Sequence, residues 1–450
     1  MPKARFFHLK RRRLLKEKSE KRKCSNIEWV QILIGLFVSI AITVYTIIQT
    51  NNENSIAEEN RRQDADLANQ TRLNDIAIAD NREKELILNN YLKFLTESFE
   101  KDVLNLPPLD PIRFILQFNT FAVLSQLDSK RKSYLIRCFY ENHLITYRQN
   151  DAPQLIDLTS ANLIELNLNA RPLIQISQSL FQCVLIANTD LTDSSFKNLV
   201  LSGTQFQHSI MTQAILSSTV ASIMSCDDNQ NRVTSFSRAY LSKANFEKSI
   251  YVAVDFLSVT MNNSNLKQFE CTGCNFAHAS LYESDMSFSR FILESSLPFI
   301  CKDSRQTQFR NSDLTKSNLF QSTFENTSFV QSKLIEINAN QAQFFQCDLS
   351  NVIMNNCILT ECQFNGSKLI SANLNNCKIN KVYMINVDFS FSTLINVDFS
   401  DSTCYSCRFN NTNLTGINFQ NSILDKSYFT NSIFNQQQLI KAKSILGIHL

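Results

Sequence analysis

The chain has 450 residues, a formal charge of +3, 13 Cys and 34 Phe, but only 6 Gly and 7 Pro. That length has room for more than one domain and a large core, while an odd cysteine count excludes complete disulfide pairing within one chain. So few Gly and Pro argue against a fold built of many tight hairpins, and the five His are scattered, leaving no metal-ligand cluster.

Positive charge is concentrated at the start. Residues 1–28 form a basic segment in which nine Lys/Arg lie between Lys10 and Lys23, opposed there only by Glu17 and Glu20. The run WVQILIGLFVSIAITVYTII, Trp29 to Ile48, then carries no charge in 20 positions. A helix rising 1.5 Å per residue covers roughly 30 Å over such a run, the thickness of a bilayer's hydrocarbon core. Trp29 and Tyr45 stand near its ends, where aromatic rings favour the interface. A buried helix or a cleaved signal peptide would also be apolar. A signal peptide, however, has a shorter basic region, a shorter core and a small-residue cleavage site. The run therefore reads as an uncleaved single-pass membrane helix. The next Lys/Arg beyond it are Arg61 and Arg62, so the positive flank predicts a cytoplasmic N-terminus and a chain bulk across the membrane; the organelle is left open. Beside such a span, KRRR at 10–13 reads as that flank, and as a site for anionic lipid, before it reads as a nuclear signal or nucleic-acid patch.

Residues 49–150 are read as a helical stalk or linker. Leu88, Leu92, Leu95, Phe99, Val103 and Leu106 recur at steps of three and four, one apolar helix stripe that could form a short coiled coil or pack on the next segment. LPPLDP at 106–111 breaks the helix. IRFILQFNTFAVLSQL and SKRKSYLIRCFYENHLI follow as two further helical patterns, with Asp128 or Ser129 able to cap the second.

After DAPQL the period changes. In fives from 315 the chain reads TKSNL FQSTF ENTSF VQSKL, then on through NGSKL ISANL NNCKI. The fifth letter is Leu, Phe, Met or Ile almost throughout, and the third is small. A period of five is neither the two of a strand nor the 3.6 of a helix, and its persistence makes it the structural unit. The large residue can be followed as Leu158 to Leu173, then Phe181 to Phe291, then Phe309 to Phe434. The frame slips at 171–178 and at 292–308, and is kept but weakened across 226–232, so these are expected to be loops or irregular corners. With two inward residues per unit, the chain must turn at each unit and coil, each coil stacking on the last through backbone hydrogen bonds.

SANLN (371–375), NVDFS (386–390 and 396–400) and KANFE (243–247) resemble the A(D/N)Lxx unit of the pentapeptide-repeat family, and the helical LDSKRKSYLIRCFYENHLI resembles the segment preceding the repeats in membrane-anchored members. The resemblance implies an all-β solenoid, a right-handed quadrilateral β-helix over 151–435. Leu439, Ala442, Ile445 and Leu446 recur at helical spacing, so 436–450 is read as a C-terminal capping helix.

Two CxxC pairs, Cys271/Cys274 and Cys404/Cys407, ordinarily suggest zinc or thiol redox chemistry. Here each pair falls on the large inward position and the small inward position that follows it, always three places on. Cys347, Cys357, Cys362 and Cys377 fall on the small position. Cysteine is thus expected as a small buried hydrophobe. Six or seven coils separate the two pairs, roughly 30 Å at the stacking distance of neighbouring strands, so one tetrahedral site cannot hold both. Cys357 and Cys377, one coil apart, are expected to stay free thiols, in tension with an exoplasmic location. Sequons such as Asn365-Gly-Ser and Asn413-Leu-Thr arise by chance in so Asn-rich a repeat.

No catalytic, cofactor-binding or metal-binding residue stands out, and no cofactor is expected. The chain reads as a non-enzymatic, membrane-tethered solenoid serving as an interaction or structural scaffold for an unknown protein partner. The alternative is DNA mimicry, since some members of the resembled family imitate duplex DNA and bind topoisomerases. That role needs a strongly acidic surface. Residues 151–450 carry 23 Asp/Glu against 20 Lys/Arg, a net of −3, and no nucleic acid is expected as a partner.

Overall fold

The structure, a computed structural model, describes residues 3–100, 110–147, 154–169, 179–226, 230–292 and 307–450. They form two compact units, 1–83 and 84–450. Helix α1 runs from Lys3 to Glu100 and supplies the described part of the first unit. One helix among the described residues is long and apolar enough to cross a membrane. It is the stretch from Leu33 onward, whose richest window has a mean hydropathy of 1.9 with none of it buried against protein.

In the second unit the end of α1 packs on α2 (Pro111–Gln126) and α3 (Ser129–Glu141). The apolar stripe is used within this unit. Leu88, Tyr91 and Leu95 are buried, and the Tyr91 ring meets Phe139 edge-on at 6.3 Å. Val103 and Leu106 lie outside the described residues. Asp110 caps α2, and Asp128 rather than Ser129 caps α3, its carboxylate accepting from Arg131 N at 3.0 Å.

The rest is the β-helix. Most of its pairings are parallel and displaced by one coil of four pentapeptide units: Gln343 pairs with Gln363, which pairs with Tyr383, which pairs with Thr403. Four such columns make the four faces. Short strands mark one of them: β1 (Ser179–Leu180), β2 (Leu199–Val200) and β3 (Val220–Ala221). After the hairpin strands β4 (Met224–Ser225) and β5 (Asn231–Arg232), the column resumes with β6 (Ile250–Val252), β7 (Glu270–Thr272), β8 (Arg290–Ile292), β9 (Thr323–Glu325) and β10 (Gln343–Phe345). β11 (Tyr383–Ile385) and β12 (Thr403–Tyr405) pair further along.

Three roles recur along the units, the second at many units whose small residue is Ser, Thr or Cys and the third at many in which Asn or Asp lies between the small and large residues. The large residue enters the axis: Phe246, Phe256, Leu266, Phe276 and Leu281 are fully buried. The small residue donates back to a carbonyl of the preceding coil, as Ser264 Oγ does to Leu241 O at 2.8 Å and Ser284 Oγ to Met261 O at 2.6 Å. The Asn or Asp between them points outward and accepts from the amide two places on, as Asp285 does from Ser287 N at 3.0 Å. Each corner then takes a positive φ, mostly without glycine: 58° at Asn263, 59° at Lys316, 62° at Gln331. Scarce Gly therefore excludes a field of hairpins but not left-handed corners, whose cost is offset by the ladder and the buried side chain.

The departures from register explain the frame slips. Asn162 pairs with Asp190, and Arg290 with Thr323, both longer than one regular coil. Neither excess is a multiple of five, so the frame shifts; residues 170–178 and 293–306, where the slips fall, lie outside the described residues. Val220 pairs with Ile250, and here the excess is two whole units. Such an insertion keeps the frame, which is why it reads as a weakening in the sequence. It holds β4 and β5, an antiparallel hairpin set into a parallel solenoid.

Both ends of the stack are closed by side chains. At the first coils, Ser133 Oγ accepts from Asn167 N at 2.8 Å, Arg137 donates to Asn169 O at 2.9 Å, and Tyr140 OH accepts from Gln182 N at 3.1 Å. Helix α3 thereby stands in for a missing coil. At the far end the helix expected over 436–450 is only α4, Gln436–Ile440. Its Gln438 amide donates to Leu414 O at 3.2 Å and Ile417 O at 3.0 Å. The chain then returns to the stack, Ser444 pairing with Ile423 and His449 with Tyr428. The later apolar residues are shared between a short helix and a last partial coil, so helical spacing there misled.

The aromatic column sets a test of this packing. Phe276 stacks between Phe256 at 4.5 Å and Phe309 at 4.8 Å. Replacing it, Phe276→Ala, should cost about 3–5 kcal/mol, seen as a lower urea midpoint in circular dichroism. A loss below about 1 kcal/mol would mean that the column is not close-packed.

Candidate functional site: the cysteine sites and the outer faces

The period of five brings the large inward position of one unit and the small inward position of the next around one corner. At Cys271/Cys274 the Cα atoms stand 6.0 Å apart, and at Cys404/Cys407 they stand 5.7 Å apart. Those separations lie within disulfide range, and both pairs are disulfides. This corrects the expectation of separate small hydrophobes. Where both inward positions at a corner are Cys, the fold itself supplies bonding distance. All four side chains are fully buried on the axis. Among the described residues no group of His, Cys, Asp or Glu is arranged to hold a metal ion.

Cys347, Cys357, Cys362 and Cys377 are free and buried. They do more than fill space. The Cys357 thiol donates to Leu334 O at 2.8 Å, Cys362 to Ala339 O at 2.7 Å and Cys377 to Met354 O at 2.5 Å, the same carbonyl positions that serine reaches in other coils. Burial pushes the Cys347 and Cys362 thiols up to about 12, and burial together with the neighbouring Cys377 pushes Cys357 up as well. A third disulfide, Cys183–Cys226, lies off the axis, joining a corner of the early coils to the inserted hairpin. Its two cysteines are separated by no whole number of repeats, so the sequence carried no signal for it.

The outer faces are polar ladders. On one, Asn265 donates to Asn245 at 3.2 Å, and Asn338 to Asn318 at 3.3 Å. On a corner line, Gln321 donates to Gln341 at 2.6 Å and Gln341 to Glu361 at 2.7 Å. Burial holds the Asp255 carboxyl above the usual carboxylate range, against hydrogen bonds from Leu257 N, Asn275 and Ser235. Large apolar side chains such as Tyr240, Ile353, Tyr383 and Phe391 are exposed. Two recesses of about 200 and 450 Å³ lie where α3 meets the first coils, bordered by Arg137, Tyr140, Leu168 and Phe181 and by Ser129, Tyr134 and Asn167.

The profile described as pentapeptide repeats (8 copies) matches residues 180–217, 342–380, 357–401, 383–421 and 398–436. Among curated proteins the chain has no match. Among solved structures it is similar to HetL of the cyanobacterium Nostoc, a pentapeptide repeat protein involved in heterocyst differentiation regulation, at 15% identity and TM-score 0.23 over 55% of this chain and 90% of that one. It is similar to QnrB1, a plasmid-mediated fluoroquinolone resistance protein, at 12% and TM-score 0.30 over 40% and 87%. It is also similar to the A-module of the mannuronan C-5 epimerase AlgE6 of Azotobacter vinelandii, at 11% and TM-score 0.27 over 64% and 90%.

The thiols give two measurable outcomes. In the native protein at pH 8, Cys347, Cys357, Cys362 and Cys377 should resist iodoacetamide, whereas half-exposed Cys138 reacts; uniform labelling would contradict the packing. Cys362 ionises near 9.0 when unfolded and near 12 when folded, so the folded state keeps its proton longer. Its stabilising contribution is complete below pH 9 and is lost as pH rises toward 12, by about 1.4 kcal/mol per pH unit. Cys362→Ser, which keeps the donor, should therefore lose less stability between about pH 9 and 11 than the unmodified chain.

Proposed function

We propose that this pentapeptide-repeat protein is a membrane-tethered, non-enzymatic scaffold, held by the helix at 29–48, with its basic N-terminus cytoplasmic and its β-helix across the membrane, facing a protein partner. The observation that carries the reading is the bare apolar surface of the span. Ile34, Phe37 and Ile42 are 57%, 71% and 60% exposed, and lipid is the solvent that would bury them. The nine cationic residues on one flank set the orientation. Three disulfides support it, because such bonds persist on the oxidising side of a membrane; they also ease the tension that free thiols alone would create. A closed axis filled by Leu and Phe leaves binding to the outer faces. The net charge of −3 across 151–450 supplies no phosphate-like field, and so gives no support to DNA mimicry.

Alkaline carbonate should leave the full chain in the membrane pellet, and recovery in the supernatant would sink the tether. In sealed vesicles with the cytoplasmic face outward, protease should remove an N-terminal tag and spare the β-helix. Digestion of the β-helix instead would reverse the orientation.

A further inference from the structure

The three disulfides among the described residues fall into two physical classes. Cys271–Cys274 and Cys404–Cys407 lie on the axis at 0% exposure, whereas Cys183 and Cys226 are 7% and 5% exposed and join a corner of the coils to the inserted hairpin. Cys183 occupies a corner of positive φ, 57°, a position that points outward in this solenoid. It is fixed to the coils by its backbone: its amide donates to Ser202 O at 3.0 Å, and its carbonyl accepts from Tyr147 N at 3.1 Å. Cys226 ends the first arm of the inserted hairpin, and its amide donates to Gln230 O at 3.1 Å within that hairpin. One sulfur therefore belongs to the rigid stack and the other to the insertion.

The seat of the bridge is shaped for it. Gly203, φ +74°, lies beneath both sulfurs, and a Cβ there would come within 3.1 Å of each. Any larger residue at that corner would press on the bond. Beside it, the Arg232 guanidinium lies 3.7 Å over the Tyr147 ring, and Gln205 Nε2 donates to Val233 O at 2.7 Å, so the second arm has non-covalent ties of its own.

We propose that Cys183–Cys226 is a redox clasp: a dithiol reductant opens it without disturbing the axial pairs or the coils, and its opening loosens the hairpin arms at 222–226 and 230–233 from the corner at Gly203. In the step, a reductant thiolate attacks one sulfur of the bridge, the S–S bond breaks, and a mixed disulfide forms. The reductant's second thiol then displaces the protein sulfur. The reductant leaves as its cyclic disulfide, its two protons and two electrons now held by the Cys183 and Cys226 thiols. Accessibility separates this bond from the other two, since exchange requires a thiolate to reach sulfur and the more exposed bonds are the labile ones. The clasp is independent of the membrane tether and is tested on the purified full chain in detergent.

Graded dithiothreitol followed by differential alkylation and mass spectrometry should label Cys183 and Cys226 at a reductant concentration at least about tenfold below that needed for the four axial cysteines. At that concentration amide exchange at 222–226 and 230–233 should quicken by about tenfold or more while 236–276 stays protected. The double variant Cys183→Ser with Cys226→Ser should show the fast exchange without reductant and no further response to it. Equal reduction of all three bonds would overturn the proposal, as would unchanged exchange at the hairpin after the bond has opened, or a rise in exchange spread through the coils. If the double variant fails to fold, the unmodified chain with and without reductant still decides between these outcomes.

Discussion

The fold depends on one constraint: at every fifth position the backbone turns a corner, and each unit places two side chains on a shared axis. A ladder bond to the neighbouring coil accompanies each turn, as with Phe256 N to Asn275 O at 2.8 Å and Phe276 N to Gln308 O at 2.7 Å. The corner alone is unfavourable for residues other than glycine. It persists because ladder and axis are satisfied in the same step, with about 1.5–3 kcal/mol gained for each large side chain buried. Stability is thus passed from coil to coil, and the ends become the weak points. That is why α3 and Gln438 supply hydrogen bonds where a neighbouring coil is missing.

What the period made legible follows from that constraint. Phe246, Leu266 and Phe276 announce themselves because large apolar groups fill most of the fifth-position columns. The small position is legible as small but not as polar in purpose. Only the geometry shows that Ser264, Ser284 and Cys357 all give their hydrogen to a carbonyl of the coil before. The inserted hairpin was muted in the sequence because two units' length leaves the frame in step. Ser133, Arg137 and Tyr140 on α3 carried no signal, since closing an end depends on where a helix docks rather than on a pattern along the chain.

The cysteines show the same limit from another side. Position told correctly that Cys271, Cys274, Cys404 and Cys407 face the axis, and it separated the two pairs too widely for one metal site. It missed the bond within each pair, because a hydrophobe and half a disulfide occupy the same inward slot and differ only in what stands across the corner. Cys357 and Cys377, on successive coils of one column, take the other outcome: each thiol is engaged with a backbone carbonyl. The choice between thiol and disulfide is made by the partner residue at the corner.

An axis so filled also determines where change is possible. Reducing an axial pair would require opening the coil around it, so those bonds share the fate of the whole stack. The inserted hairpin is different in kind. It is antiparallel where its surroundings are parallel, it lies outside the ladder that carries stability along the chain, and its covalent tie reaches a corner that the ladder holds independently. A segment attached in this way can be ordered or released at little cost to the coils beneath it. With the axis filled by buried side chains, the outer ladders and this hairpin are what the described solenoid presents to its surroundings.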